Sequence, residues 1–327
     1  MRKKRGAEFF RICRLILVAA TFFLVLILVV KLTTGGKWDG MRRFTVIIDG
    51  NPLFLFSLEP STHQAILVTI PVNTILDVPY GYNTYPAGAV YELGNLDPKR
   101  GGGKLLSKSI ENTFGIVVGG FFARGDSDKY LLPTELDKVL DLKRKYFSFR
   151  RLLPSIFSIQ SGIKNVKTDL NLADIVRFWN AVRYLRSDNI KIVDLVNSHA
   201  LIKEKLPDGS IVYKTDPDLL DQFFSPSFQD QVVRLQNVSV EVINATDREK
   251  VASQFSRILH NLGANVVSKS TAVQKENGNC RVVTFRHELS SSIIVDRLKK
   301  FYKCSVEESN ETDVSDIKVI LGQEYLQ

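Results

Sequence analysis

Val238-Ser239-Val240-Glu241-Val242-Ile243-Asn244-Ala245-Thr246 is the stretch from which the fold of the C-terminal part of this chain can be read. Val238, Val240 and Val242 alternate with Ser239 and Glu241, the period of a half-buried strand. Thr246 and Glu249 then have the spacing of a capping box. Val251, Phe255, Ile258, Leu259 and Leu262 fall on one face of the helix that follows, and Gly263 stands where a left-handed cap is expected. Ala264–Val267 and Arg281–Phe285 read as strands, Ser291–Tyr302 as a helix, and Ile317, Val319 and Leu321 as a closing strand. The order βαββαβ predicts a small sheet with helices on one face.

Upstream, the signals are mixed α and β. Phe44–Ile48, Leu53–Leu58 and Ala65–Ile70 are short apolar runs separated by Gly50-Asn51-Pro52 and Glu59-Pro60-Ser61-Thr62, the pattern of buried strands in a meander. Pro79 to Gly103 is rich in proline and glycine and reads largely as loop. Helices are expected over Leu105–Phe114, Pro133–Leu142 and Asn171 to about Leu185. In the last of these Asn171 is placed to cap, and Leu172, Ile175, Val176, Trp179 and Val182 form the apolar stripe. Pro207-Asp208-Gly209-Ser210 should turn a hairpin between Leu201–Lys205 and Ile211–Lys214. Asp216–Phe224 reads as a short helix that ends before Pro226.

The charge is concentrated at one end. Of the net +9, residues 1–43 hold ten Lys/Arg against two Asp/Glu, and the remainder holds 34 against 33. The nearly neutral body argues against nucleic acid as a partner, because a phosphate backbone demands a basic surface. Leu15 to Val30 is sixteen residues without a charge, and Ile12 and Cys13 extend it. With Arg14 and Lys31 at its interfaces the run is long enough to span a bilayer. Arg2, Lys3, Lys4, Arg5, Arg11 and Arg14 precede it and predict an N-terminus inside and a body outside. A cleaved signal peptide is the rival reading. Ala19 and Ala20 lie mid-run, however, and no A-x-A site follows Val30.

The two units behind one anchor resemble the LytR-CpsA-Psr proteins of bacterial cell envelopes. In the C-terminal unit the resemblance rests on residues 238–246, on the Ala252…Leu262-Gly263 helix, and on Asp316-Ile317-Lys318-Val319-Ile320-Leu321-Gly322-Gln323-Glu324-Tyr325. In the first unit Leu67-Val68-Thr69-Ile70-Pro71-Val72-Asn73-Thr74 is similar to the family's Ser-Ile-Pro-Arg-Asp-Thr-like motif. Val166-Lys167-Thr168-Asp169-Leu170 is similar to the end of that domain. The resemblance implies an α/β domain that moves a glycopolymer from a polyprenyl-pyrophosphate carrier to peptidoglycan with Mg or Mn. That chemistry needs cations against the pyrophosphate and carboxylates on the metal.

The chain departs from the pattern at those positions. Val72 stands in place of the motif arginine and Asn73 in place of its aspartate. Asp49 and Asn51 occupy the family's upstream Arg-x-Asp. The motifs are therefore degenerate, and no catalytic residue, cofactor or metal site is expected. Ligand-binding candidates are Arg100 and Lys104 on the glycine-rich stretch, and Lys143, Arg144, Lys145, Arg150 and Arg151, interleaved with aromatic residues. Against these stand two blander readings, a flexible glycine loop and a solvated basic helix face. Cys280 and Cys304 form either a disulfide, as an exported domain permits, or two free thiols.

The expected organisation is a basic tail and transmembrane anchor over 1–34, a linker over 35–43, a degenerate LytR-CpsA-Psr-like α/β domain over 44–235, and a LytR-type C-terminal domain over 236–327. The expected role is non-catalytic, at the cytoplasmic membrane: binding or organising polyprenyl lipid, cell-wall glycopolymer or envelope proteins. The alternative is a divergent phosphotransferase, which would use Mg or Mn.

Overall fold

The computed structural model describes residues 13–24, 26–27, 36–124, 136–147 and 166–326. Residues 13–24 are helical, with Leu15, Leu17 and Phe22 exposed. Among the described residues no helix is long and apolar enough to cross a membrane, and much of the predicted anchor lies outside them.

The first domain is built on a six-stranded mixed sheet. β1 (Phe44–Ile48), β2 (Leu53–Glu59) and β3 (Gln64–Ile70) pair antiparallel in succession, as their apolar runs and turn residues suggest. β6 (Gly120–Arg124) adds parallel to β1 and β8 (Ile190–Asp194) parallel to β3, while β7 (Val166–Thr168) closes one edge. β1, β3, β6 and β8 thus point the same way, and their carboxyl ends share one edge.

Both faces of this sheet are covered, which is why β1, β2 and β3 are largely apolar. On one side Ile47, Leu53, Leu55, Val68 and Ile70 meet α1 (Ala87–Asn95), α2 (Gly102–Phe114) and α5 (Pro217–Phe228). On the other, Phe44, Val46 and Leu58 meet Ile175, Phe178 and Val182 of α4 (Leu172–Tyr184). Asn171 caps α4, accepting from Asp174 N at 2.8 Å. α3 (Leu136–Tyr146) lies beside it, Leu140 packing on the same core. A small β4–β5 ribbon (Ile75–Val78, Asn83–Pro86) and the expected β9–β10 hairpin (Leu201–Lys205, Ile211–Thr215) complete the unit.

Four sequence expectations need correction here. Pro79 to Gly103 is not mainly loop, because it holds β5, α1 and the start of α2. α5 runs through Pro226 instead of stopping before it, and α6 (Gln231–Gln236) follows. The segment at residues 35–43 is not a free linker: Trp38 is buried and stacks on Phe44 at 4.7 Å. Thr246 and Glu249 do not box a helix. Thr246 Oγ1 instead donates to Asn244 Oδ1 at 2.7 Å, and α7 begins later, at Val251.

The second domain has a five-stranded sheet in the order β12-β11-β15-β13-β14. β11 is Ser239–Asn244, β12 Asn265–Thr271, β13 Cys280–Thr284 and β15 Ile317–Leu321. β14 (Ser305–Glu308) is a strand beyond the expected βαββαβ order. It is short, polar and on an edge, so it carries little apolar signal. α7 (Val251–Leu262) and α8 (Ile293–Tyr302) cover one face, burying Phe255, Leu259, Ile294 and Leu298 against Val240, Val242 and Val319. Cys280 and Cys304 are joined by a disulfide.

Buried polar contacts tie the two domains together. Arg297 on α8 donates to Asp230 Oδ2 and to the carbonyl of Arg43, each at 2.9 Å. Arg43 in turn pairs with Glu59 at 3.3 Å and donates to Ser57 Oγ at 3.2 Å. Burial lowers the Arg43 pKa and raises that of Glu59, each countered in part by the other's charge. Nearby, Arg257 on α7 holds both oxygens of Asp221 at 2.7 Å. Asn261 donates to Asp221 at 2.8 Å and to the Gly115 carbonyl at 3.0 Å. Removing one partner of a buried pair leaves the other charge desolvated and alone. Arg297→Ala should therefore destabilise the chain by about 3 kcal/mol or more. Asp230→Asn with Arg297→Met should cost clearly less. Chemical denaturation checks both, and a loss for Arg297→Ala below about 1 kcal/mol, the value for an exposed pair, would contradict the clasp.

Candidate functional site

A cleft of about 750 Å³ lies between α1, the first turn of α2, β6 and the β7–α4 junction. Glycine makes the cleft possible, but through contact, not flexibility. A Cβ on Gly94 would lie 2.7 Å from the Gly102 Cα, and one on Gly102 2.3 Å from the Tyr91 carbonyl. A Cβ on Gly103 would sit 2.0 Å from the Phe121 ring. The three glycines let α1, α2 and β6 approach, so Gly101-Gly102-Gly103-Lys104 is the packed start of a helix and not a loose loop.

The floor of the cleft is apolar, with Phe121, Leu170, Leu172 and Ile175 beside Tyr91. Its rim carries Arg100, Lys104 and Lys167. Asp97 accepts from Arg100 at 2.7 Å, from Lys99 N at 2.9 Å and from Tyr82 at 3.1 Å. The Arg100 hydrogen bond, then that of Lys99, holds its carboxyl below the usual range. Lys104 is exposed. Its ammonium is nevertheless pushed down, first by partial desolvation and then by the charges of Arg100, Lys108 and Lys303. An anion at this rim would relieve that repulsion.

Asp169 connects the cleft to the N-terminal segment. Its Oδ1 accepts from Phe121 N at 3.0 Å and its Oδ2 from Lys37 Nζ at 2.7 Å. The backbone amides of Lys37 and Trp38 donate to Asp174 at 3.1 and 3.0 Å. Gly36 is at φ +106°, and a Cβ there would lie 2.3 Å from Asp174 Oδ1.

The sequence candidates separate. Arg100 and Lys104 line the cleft. Lys143 does not face a ligand site: its ammonium donates to the Leu185 carbonyl at the end of α4, and burial, then Arg144, lowers its pKa. Arg144 is exposed beside Asp141 at 3.6 Å. The side chain of Lys145, and Arg150 and Arg151 entirely, lie outside the described residues.

The four degenerate motif positions do not line the cleft as described. Val72 packs under α1, its carbonyl accepting from Gly88 N at 2.8 Å. Asn73 Nδ2 donates to the Ile211 carbonyl at 2.5 Å, and its own carbonyl accepts from Tyr213 N at 3.2 Å, which ties the β9–β10 hairpin down. Asp49 is buried at the end of β1, its amide bonded to Phe122 O at 2.8 Å. After burial itself, the Asp49 charge is the main cause that raises the Tyr91 phenol pKa. Asn51 is exposed. Among the described residues no three His, Cys, Asp or Glu side chains gather as metal ligands.

Residues 237–325 match the family described as LytR cell envelope-related transcriptional attenuator. The second domain is a LytR-type C-terminal domain. The LytR-type unit accounts for the closing Asp316–Tyr325 stretch, whose Tyr325 packs at 5.5 Å from Phe255. No curated protein matches the chain. Among solved structures, TagV of Bacillus subtilis is similar with 11% identity and a TM-score of 0.39, over 56% of this chain and 94% of its own. A transcriptional regulator from Enterococcus faecalis shares 10% identity at a TM-score of 0.41, over 57% of this chain and 87% of its own. B. subtilis TagT with bound octaprenyl pyrophosphate lipid shares 15% identity at a TM-score of 0.35, over 57% and 89%.

The glycine packing is testable. Gly103→Ala should destabilise the first domain by about 1–3 kcal/mol through overpacking against Phe121. Phe121→Leu in the same chain should recover part of the loss. Thermal denaturation of the single and double variants measures it, and an unchanged melting temperature for Gly103→Ala would refute the contact.

Proposed function

We propose that the chain is a single-pass protein of the bacterial cell envelope, its N-terminus inside and its body outside the cytoplasmic membrane. Its first domain binds the polyprenyl-phosphate part of a glycopolymer carrier without transferring the polymer. The observation that carries this reading is the pairing, in one cleft, of an apolar floor at Phe121, Leu170, Leu172 and Ile175 with a cationic rim at Arg100, Lys104 and Lys167. An apolar floor with a cationic rim suits an amphiphile with an anionic head and no smaller soluble anion, which would leave the floor wet.

The N-terminal tether supports the same reading. Six residues, 31–36, separate the end of the apolar run from Lys37, which pairs with Asp169 of the cleft lining. Fully extended they reach about 20 Å, so an anchor in the bilayer keeps the cleft close to the membrane surface.

The replaced positions leave the first domain without the groups that transfer requires. Transfer from a pyrophosphate needs positive charge where negative charge develops, and hard oxygen ligands on the metal. Val72 and Asn73 are instead engaged in packing α1 and the β9–β10 hairpin. Neither supplies a cation or a carboxylate.

The experiment uses the full chain in lipid nanodiscs with a polyprenyl-pyrophosphate-linked saccharide. Binding is expected, and Lys104→Glu with Lys167→Glu should weaken it at least about tenfold. No transfer to peptidoglycan is expected with or without Mg²⁺ or Mn²⁺. Metal-dependent turnover that is lost on changing Asp97 and Arg100 would establish the phosphotransferase instead.

A further inference from the structure

A second recess, of about 250 Å³, opens between the two domains. Asp77, Tyr80 and Asn112 form its wall on the first domain, and Arg248, Gln254 and Tyr325 its wall on the second. None of these residues lines the cleft described above.

Both walls are held in place. On the second domain Asn244 Oδ1 accepts from Thr246 N at 3.0 Å, and Asn244 Nδ2 donates to the Arg248 carbonyl at 2.7 Å. Arg248 N donates to Thr246 Oγ1 at 3.1 Å. This turn, which displaces the expected helix cap, fixes Arg248 so that its guanidinium lies against the β4–β5 turn. A Cβ added to Gly81 would meet Arg248 Nη2 at 3.6 Å. The first and last parts of the second domain therefore converge here, Arg248 from the start and Tyr325 from the end.

On the first domain the β4–β5 turn carries Tyr80 at φ 68° and Asn83 at φ 63°. Bulky residues avoid this left-handed region, and its use gathers at binding sites. Arg100 stacks on the Tyr80 ring at 4.2 Å and steadies it. Asp77 is anchored by its amide to Thr113 Oγ1 at 2.9 Å, and Gln254 reaches its carboxylate across the gap at 3.3 Å.

We infer that this recess binds an uncharged saccharide, one ring of a glycan strand, independently of what the cleft holds. Carboxylate, carboxamide and guanidinium groups are planar and present adjacent polar atoms, a match for neighbouring sugar hydroxyls. Tyr80 and Tyr325, one on each wall, add apolar surface for the C–H groups of the sugar. An alkyl chain would strip water from Asp77, Asn112, Arg248 and Gln254 and give nothing back. The carboxylates of Asp77 and Glu249 balance the cations of Arg248 and Lys108 on the lining, so the recess has no net charge to draw a phosphate and suits an uncharged ligand. Recesses at domain junctions are common places for such ligands.

The test is calorimetric titration of the full chain in nanodiscs with chitotetraose, an uncharged N-acetylglucosamine oligomer. Saturable binding is expected, weakened about tenfold by Asn112→Ala and by Arg248→Ala, the loss of one good hydrogen bond in each. Lys104→Glu with Lys167→Glu, at the cleft, should leave it unchanged. That control separates this site from the carrier-binding reading. Variants that keep the wild-type melting temperature but bind as before would overturn the assignment. So would no binding at millimolar chitotetraose, or displacement of chitotetraose by short-chain polyphosphate. Should either single variant unfold, Gln254→Ala serves as the replacement and carries the same expectation.

Discussion

The Arg297–Asp230 pair is the constraint on which the arrangement of this molecule depends. Arg297 is 6% and Asp230 1% exposed, so neither charge has water to fall back on. Each is stable only while α8 of one domain sits against the segment that leaves the other. Asp230 also accepts from Val232 N at 3.0 Å, so the same carboxylate starts α6 and fixes the exit angle of the connecting chain. The Arg257–Asp221–Asn261 contacts then lock α7 against α5, and Arg257 also donates to the Thr113 carbonyl at the C-terminal end of α2 at 3.1 Å. Through these contacts α2 has one end at the domain junction and the other at the cleft. Lys303, from the second domain, is close enough to act on the Lys104 charge at the rim.

The two recesses differ in chemistry because they are built differently. The cleft is floored by residues that belong to the sheet and to α4, and glycine replaces side chains where helices must close on it. Its cations stand at the rim, where water still reaches them. The interdomain recess has planar polar groups on both walls, interleaved with apolar surface from Val78, Tyr80, Val251 and Tyr325. An amphiphile suits the first and a hydroxyl-bearing ligand the second.

The parts of the fold that depend on local pattern were legible in the sequence. The apolar runs of β1 to β3, the Asn171 cap of α4 and the hairpin at Pro207–Ser210 all stand where their residues suggest. What escaped was decided by tertiary contact. Gly94, Gly102 and Gly103 read as chain breakers, yet they are used for close packing, so α1 was hidden in an expected loop. Asn244 and Thr246 hydrogen-bond each other, which defeats the capping box. At the candidate site Arg100 and Lys104 were visible from their place beside the glycines. Lys143 was visible too, but its ammonium serves the end of α4. Phe121 on the cleft floor carries no local signal, and the facing walls of the interdomain recess come from distant parts of the chain.

The proposed function has the first domain hold an anionic membrane amphiphile and leave it intact. Native mass spectrometry of the full chain released from envelope membranes tests it most directly. A co-purifying adduct with the mass of an isoprenoid phosphate or pyrophosphate is expected, unprocessed, and absent when Lys104 and Lys167 are both changed to Glu. A wild-type chain that is folded and consistently free of such an adduct would contradict it.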